Sequence, residues 1–183
     1  MKNYLFLFSL VLSSVSCTTN TTPKPNAFLN LEYLNIGYTK YTTTAYTFET
    51  SKKASITIRK NLWADICYPE LNAEVNITYH AVNNNITALL RDAEKLTYKH
   101  TVKADNIEAY PFEDSNKKVY AKLYEITGDA ASTIQFNATD STKHFLSGAL
   151  YFNSRPNFDS IQPAVEFVKK DIKKIIESLE WKY

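Results

Sequence analysis

Residues 117–153 read KKVYAKLYEITGDAASTIQFNATDSTKHFLSGALYFN, and three predicted strands follow one another in this stretch. Two alternating segments, 117–127 and 131–139, flank a Gly-Asp pair that suits a tight hairpin turn. The segment 144–153 is apolar on both faces, which predicts a central strand of a sheet. Gly148 within it has no side chain, so we expect a neighbouring group to pack closely there.

Strand and helix patterns continue on the N-terminal side of this stretch. Residues 73–80 (AEVNITYH) alternate between apolar and polar side chains, as in a half-buried strand. The segments 44–50 and 54–60 are predicted to pair as a hairpin across the intervening Ser-Lys-Lys. From 85 to 98 the apolar residues recur at helical spacing, and Asn84 is placed to cap that helix.

The clearest helical pattern lies near the C-terminus. Its apolar side chains form one stripe at helical spacing: Ile161, Val165, Val168, Ile172, Ile175, Ile176 and Leu179. The opposite side is rich in lysine, which is typical of a solvated face, although a basic amphipathic helix can also lie on a membrane. The order of strands, helix, strands and helix predicts an α+β fold, with an antiparallel β-sheet covered by two main helices in a single domain.

The N-terminus has the layout of a lipoprotein signal peptide. Residues 1–16 contain a basic start, an apolar run too short to span a bilayer and small residues at the end. Cys17 follows where a bacterial lipobox places its acylated cysteine, although Ser14 stands where leucine is usual. An ordinary signal peptide with a nearby cysteine is the alternative. We expect lipid on Cys17, a polar tether over 17–27 and the α+β domain over 28–183.

Composition argues against several classes of function. The formal net charge is +2 and no basic stripe is present, so nucleic acid is not an expected partner. The chain has 3 glycines, which argues against a Gly-rich phosphate loop. It has 2 cysteines, so lipid on Cys17 would leave Cys67 without an intrachain disulfide partner.

Candidate catalytic groups are few. The histidines at positions 80, 100 and 144 have no neighbours at metal-ligand spacing. The run DSTKH at 140–144 contains the residue types of a Ser-His-Asp triad, but these are also common turn residues, and the sequence has no GxSxG motif. The run YKHTVKAD at 98–105 is either a ligand site or the basic end of a helix. The residues alone therefore predict a protein that is not an enzyme and needs no metal or cofactor.

Three long collinear blocks carry a family resemblance. They are NITYHAVNNNITALLRDAEKLTYKHTVKADNI at 76–107, the residues at 118–153, and DSIQPAVEFVKKDIKKIIESLEW at 159–181. Together they resemble the gliding motility lipoprotein GldD family of Bacteroidetes. The resemblance implies an envelope lipoprotein, with Cys17 as its lipid site, that acts in gliding motility and the associated type IX secretion. It implies no catalytic residues.

The resemblance also bears on location and partners. Surface-exported lipoproteins of these bacteria usually carry acidic residues soon after the cysteine, and this chain has none before Glu32. We therefore expect a domain that faces the periplasm from the outer membrane, with the inner membrane as the alternative. Protein components of the gliding and secretion machinery are the expected partners. Aromatic residues are favoured at such interfaces, and the candidates are Tyr120 and Tyr124, which share a strand face with Lys122, and Trp181 at the end of the last helix.

Two other functions fit the residues. An envelope module that binds a small apolar ligand or glycan would need a sheet–helix cleft, with aromatic walls and a few convergent polar groups. A hydrolase would need His100 or His144 in a cleft beside an acid that orients the ring. The sequence itself does not single out the residues of a binding site.

Overall fold

The computed structural model describes residues 37–99, 103–153 and 158–183. Within these ranges the elements are β1 (Tyr38–Thr42), β2 (Tyr46–Ser51), β3 (Ser55–Ile58), β4 (Ala64–Tyr68), β5 (Ala73–Ala81), α1 (Ile86–Tyr98), β6 (Ala104–Asp114), β7 (Val119–Gly128), β8 (Ser132–Thr139), β9 (His144–Phe152), α2 (Phe158–Glu177) and β10 (Glu180–Trp181). A 3-10 turn, Pro69–Leu71, joins β4 to β5. No helix in the described ranges is long and apolar enough to cross a membrane.

The described strands form two antiparallel sheets. The small sheet has the order β1-β2-β10, and the large sheet has the order β3-β4-β5-β9-β8-β7-β6. This architecture, mostly antiparallel sheet with two α-helices, agrees broadly with the predicted α+β class.

The strands predicted from the quoted stretch are confirmed. β7 pairs with β8 as a hairpin, and β9 lies in the middle of the large sheet between β5 and β8. Both faces of β9 are buried near its start, since Phe145 and Leu146 are 2% and 1% exposed. Gly128 ends β7 with a φ of 97°, a conformation that glycine adopts without steric cost. β5 confirms the strand predicted at 73–80.

The predicted close approach at Gly148 is also confirmed. In the pairing of β8 with β9, Phe136 lies directly opposite Gly148. A Cβ atom built on Gly148 would lie 2.3 Å from Phe136 Cε1, well inside van der Waals contact. The aromatic ring therefore fills the space that any other residue at 148 would need.

The large sheet has one apolar and one polar face, because side chains alternate along each strand. The apolar face of β7, β8 and β9 carries Val119, Ala121, Leu123, Ile134, Phe136, Ala138, Leu146 and Leu150. The opposite face of β8 carries Gln135, Asn137 and Thr139, which are buried although they are polar. Below, these two surfaces are called the apolar face and the polar face of the large sheet.

The main core forms where α2 and the small sheet pack on the apolar face. The stripe predicted for the last helix is buried at Val165, Val168, Ile172, Ile175 and Ile176. Tyr46 and Phe48 of β2 join the same cluster. Removal of this apolar surface from water, at about 25 cal/mol per Å², is the dominant stabilising contribution.

α1 confirms the helix predicted over 85–98, but not its predicted cap. The N-cap residue is Asn85, whereas Asn84 has a positive φ of 57° in the preceding turn. Asn85 Oδ1 accepts a hydrogen bond from the backbone N–H of Asn83, so this side chain stabilises the turn instead of a helix N–H. Asn tolerates the left-handed conformation better than most residues, which explains its presence at 84.

The predicted hairpin between 44–50 and 54–60 is wrong. β2 pairs with β1 and β10, whereas β3 pairs with β4 in the other sheet. A turn closed by the hydrogen bond from Ala54 N–H to Ser51 O carries the chain between the two sheets. β2 is buried along nearly its whole length, and buried backbone groups must be hydrogen-bonded. β2 therefore needs a partner on each edge and takes both from within the small sheet.

The C-terminus also differs from the prediction. Trp181 does not end the last helix but lies in β10, where it is 8% exposed and its indole N–H donates to Lys118 O at 3.0 Å. β4 and β6 were not predicted from the sequence.

We predict that Gly148→Ala destabilises the fold by about 1–3 kcal/mol, because the new methyl group overlaps the Phe136 ring. Urea denaturation would measure the loss. Ser147→Ala, on the polar face of the same strand, is the control and should change stability little. In a Phe136→Leu background the added cost of Gly148→Ala should shrink; an unchanged cost would contradict the packing argument.

Candidate functional site

The polar face of the large sheet carries two rows of side chains across neighbouring strands. The first row runs through Lys122, Asn137, Ser147 and Thr78, and the second through Tyr124, Gln135, Ala149 and Asn76. Both rows combine amide or hydroxyl groups with small residues on β9. This surface therefore offers many hydrogen-bonding groups and little bulk at its centre.

Polar contacts attach α1 to this face. Glu94 Oε1 accepts hydrogen bonds from Lys122 Nζ at 3.1 Å and from the Tyr124 hydroxyl at 3.3 Å. Thr97 Oγ1 lies 2.9 Å from Gln135 Oε1, to which it donates. The hydrogen bond to Glu94 raises the pKa of Lys122 above its ordinary value. Lys122 is thus charged and already paired across the sheet–helix contact.

The apolar side chains of α1 contribute less burial than those of α2. Thr97 is the one side chain of α1 that is buried, whereas Leu89 and Leu90 are half-buried and Leu96 is 48% exposed. Beneath the helix, Gln135 Nε2 is buried without a hydrogen-bond partner among the described residues. α1 is therefore held mainly by polar contacts, whereas α2 is held by a continuous apolar stripe.

An open cleft of about 550 Å³ lies beside α1 on the large sheet. Leu90 of α1 and Pro111 of β6 provide apolar walls, and Tyr120 provides an aromatic one. The polar groups of Glu113, Lys122, Asn137, Thr139 and Ser141 also line it. A cleft of this volume lies within the range of small-molecule binding sites.

The aromatic residues predicted to contact a partner do not form one surface. Tyr120 is 37% exposed at the cleft, but Tyr124 is 1% exposed and lies against Glu94. Trp181 is buried in a separate cluster with His144. Of the predicted set, Tyr120 and Lys122 are the residues that reach the cleft.

His144 lies in an aromatic stack. Its imidazole is parallel to the Trp181 indole, with 5.3 Å between ring centroids and 4° between ring planes. The Tyr79 hydroxyl lies 3.0 Å from His144 Nδ1. Burial lowers the pKa of His144 below its ordinary value, although the charge of Asp140 opposes this shift. The neutral ring therefore acts as a packed aromatic group.

The turn at 140–144 uses the Asp140 carboxylate to hold its own backbone. Asp140 Oδ1 accepts hydrogen bonds from the N–H groups of Thr142, Lys143 and His144 at 2.8–2.9 Å. Oδ2 accepts one from the Tyr183 hydroxyl at 3.1 Å. The turn interpretation of DSTKH is confirmed, and a triad within this run is wrong because the carboxylate hydrogen-bonds the backbone and not the His144 ring.

Burial acts to raise the pKa of Asp140, but the N–H groups of His144, Lys143 and Thr142 outweigh it and hold the pKa at about 2. The carboxylate is therefore charged at every ordinary pH. Its charge stabilises the link between β8 and β9.

The remaining sequence candidates occupy separate places. His80 packs beside the Phe145 ring, with centroids 6.5 Å apart. Cys67 is a free, partly buried thiol whose pKa is raised by burial. No three His, Cys, Asp or Glu side chains in the described ranges are grouped to hold a metal ion. Cys17, the signal peptide predicted over 1–16, the tether predicted over 17–27 and His100 lie outside these ranges.

The geometry of the site does not identify the protein family, but a comparison with known families does. Residues 18–181 match the family model described as gliding motility lipoprotein GldD. The chain belongs to the gliding motility lipoprotein GldD family. The match includes both sheets, both helices and the cleft. No curated protein matches the chain. Membership of the GldD family implies a gliding motility component and a lipid-anchored location in the cell envelope.

We predict that Asp140→Asn lowers stability at pH 7 by about 2 kcal/mol, because the folded-state pKa lies below the ordinary value of 3.8. A carboxyl group with a depressed pKa stabilises the fold above about pH 4 and loses that contribution as the pH falls towards about 2. The difference from the unmodified protein should therefore shrink over this window.

Chemical denaturation across this pH range would test the prediction. Asp92→Asn, at an exposed position on α1, is the matched control and should change stability little. An Asp140→Asn variant as stable as the parent at pH 7 would contradict the role given to the carboxylate.

Proposed function

We propose that this GldD-family protein is a membrane-anchored, non-enzymatic subunit of the gliding motility machinery and the associated type IX secretion apparatus. The observation that carries the proposal is the family match over residues 18–181. The Asp140 turn supports the non-enzymatic part, because the one carboxylate of the run DSTKH is engaged in backbone hydrogen bonds.

The proposed anchor is a lipid on Cys17, the residue immediately before the matched range. An apolar run and small residues precede it, as in a lipoprotein signal peptide. Each buried methylene of an acyl chain adds about 0.8 kcal/mol, so two or three chains hold a protein stably on a membrane. Residues 17–27 would then separate the domain from the membrane. We place the anchor in the outer membrane, facing the periplasm, since no acidic residue follows Cys17 before Glu32.

The proposed partners are protein components of the same machinery. In the described ranges, the exposed large apolar side chains are mostly tyrosines: Tyr38, Tyr98, Tyr110, Tyr120, Tyr151 and Tyr183, with Ile58 and Leu96. Tyrosine is favoured at protein interfaces because it buries a large area at a low cost in side-chain entropy. These residues support a role in assembly rather than in catalysis.

We predict that deletion of the gene in the native host abolishes both surface spreading and release of the type IX secretome. A plasmid copy of the unmodified protein should restore both. Cys17→Ala should restore neither, because the chain would lack its lipid. Cys67→Ala is the matched cysteine control and should restore both, since Cys67 is a free thiol. Spreading on agar and mass spectrometry of the culture medium would provide the readouts.

A different result would contradict each part of the proposal. Normal spreading and secretion in the deletion strain would contradict the assembly role. Loss of spreading with a normal secretome would limit the role to motility. Rapid loss of the protein when intact cells are treated with protease would contradict the periplasmic orientation, and recovery in the inner-membrane fraction would move the anchor to that membrane.

A further inference from the structure

We propose that the open cleft beside α1 binds an uncharged, hydroxyl-rich ligand, namely a short stretch of glycan. The inference goes beyond an assembly role and does not depend on it. It rests on the shape of the cleft, the pairing of its charges and the chemistry of its floor.

The cleft has an aromatic wall next to a polar floor. Tyr120 of β7 stands between Glu113 of β6 and Thr139 of β8, its partners across the sheet. The next row places Lys122 between Pro111 and Asn137. A sugar ring has apolar C–H faces and a rim of hydroxyl groups. An aromatic ring beside amide, hydroxyl and carboxylate groups can contact both parts at once.

The charges at the cleft favour an uncharged ligand. Lys122 is the one cationic side chain among the described residues that line the cleft, and its Nζ lies 3.1 Å from Glu94 Oε1. Glu113 adds a carboxylate to the same lining. A phosphate group would therefore have to break the Lys122–Glu94 ion pair and approach a second negative charge. Nucleotides and anionic lipid headgroups fit this cleft poorly for the same reason.

The polar side chains of β8 disfavour a purely apolar ligand. Asn137 is 5% exposed and lines the cleft, and its amide both donates and accepts hydrogen bonds. An apolar ligand would cover the accessible polar atoms of this floor without offering them hydrogen bonds, which is unfavourable. Gln135, one step further along the same face, already has a buried Nε2 without a partner in the described region. A hydroxyl-rich ligand can donate to and accept from groups of this kind.

The test uses the full-length lipoprotein in detergent and three neutral hexasaccharides as probes: cellohexaose, maltohexaose and chitohexaose. Inorganic phosphate is the charged comparison. Isothermal calorimetry should show saturable binding of at least one hexasaccharide and none of phosphate. Tyr120→Ala should weaken that binding about tenfold, which corresponds to about 1.4 kcal/mol and is within the range of one aromatic contact.

Tyr151→Ala is the matched control. Tyr151 has the same 37% exposure and lies on the same face of the large sheet, but it is not among the described residues that line the cleft. This variant should bind as tightly as the parent. Asn137→Ala should also weaken binding, and the urea midpoint of each variant would verify that it folds. Tyr120→Ala changes an exposed side chain, so its result stays interpretable if Asn137→Ala does not fold.

Three results would overturn the proposal. The first is no saturable binding of any of the three hexasaccharides up to about 10 mM, which is weaker than functional sites usually are. The second is binding that Tyr120→Ala leaves unchanged, since the ligand would then lie elsewhere. The third is saturable binding of phosphate alone, which would assign the cleft to an anion.

Discussion

The contact between the Phe136 ring and the bare backbone of Gly148 is the constraint on which the large sheet depends. It lies at the junction of β8 and the central strand β9, where the Phe136 ring occupies the space that a side chain at 148 would need. Side chains along a strand point alternately to its two faces. Because Phe136 points to the apolar face, the residues two positions away in β8 point to that face as well. Ile134 and Ala138 therefore join the core that α2 and the small sheet complete. A shift of one residue in this register would move the whole apolar set to the other side.

The same alternation determines the polar face. With Phe136 fixed in the core, Gln135 and Asn137 must face the opposite side, where α1 lies. α1 meets this surface through Glu94 and Thr97 rather than through its leucines, and an open cleft remains beside it. One face of the sheet thus provides most of the stability, and the other presents hydrogen-bonding groups.

The sequence predicted the elements whose pattern of apolar and polar residues is complete within one segment of the chain. The hairpin of β7 and β8 follows from period-2 alternation around a Gly-Asp turn, and both helices follow from a period of 3.6. The central strand β9 follows from apolar residues on both of its faces. The partners of β2 could not be predicted, because strand pairing depends on burial and on distant segments such as β10. β6 was not predicted because it is a largely exposed edge strand. Its charged residues and Pro111 interrupt the alternation of apolar and polar side chains by which a strand is recognised. The cleft could not be predicted either, since it depends on how far α1 stands from the sheet. Burial raises the pKa of Asp171, on the inner side of α2, to about 6. The residues next to Asp171 in the sequence do not indicate this burial.

The central claim is that α2 belongs to the core of the fold, whereas α1 is held on the polar face by a few polar contacts. Hydrogen exchange of backbone amides, measured residue by residue, tests this most directly. We expect the amides of α1 to exchange through local opening, at least about tenfold faster than those of α2 and β9, which should exchange only on global unfolding. Equal protection of α1 and α2 would contradict the claim and would show that α1 belongs to the same cooperative unit as the core.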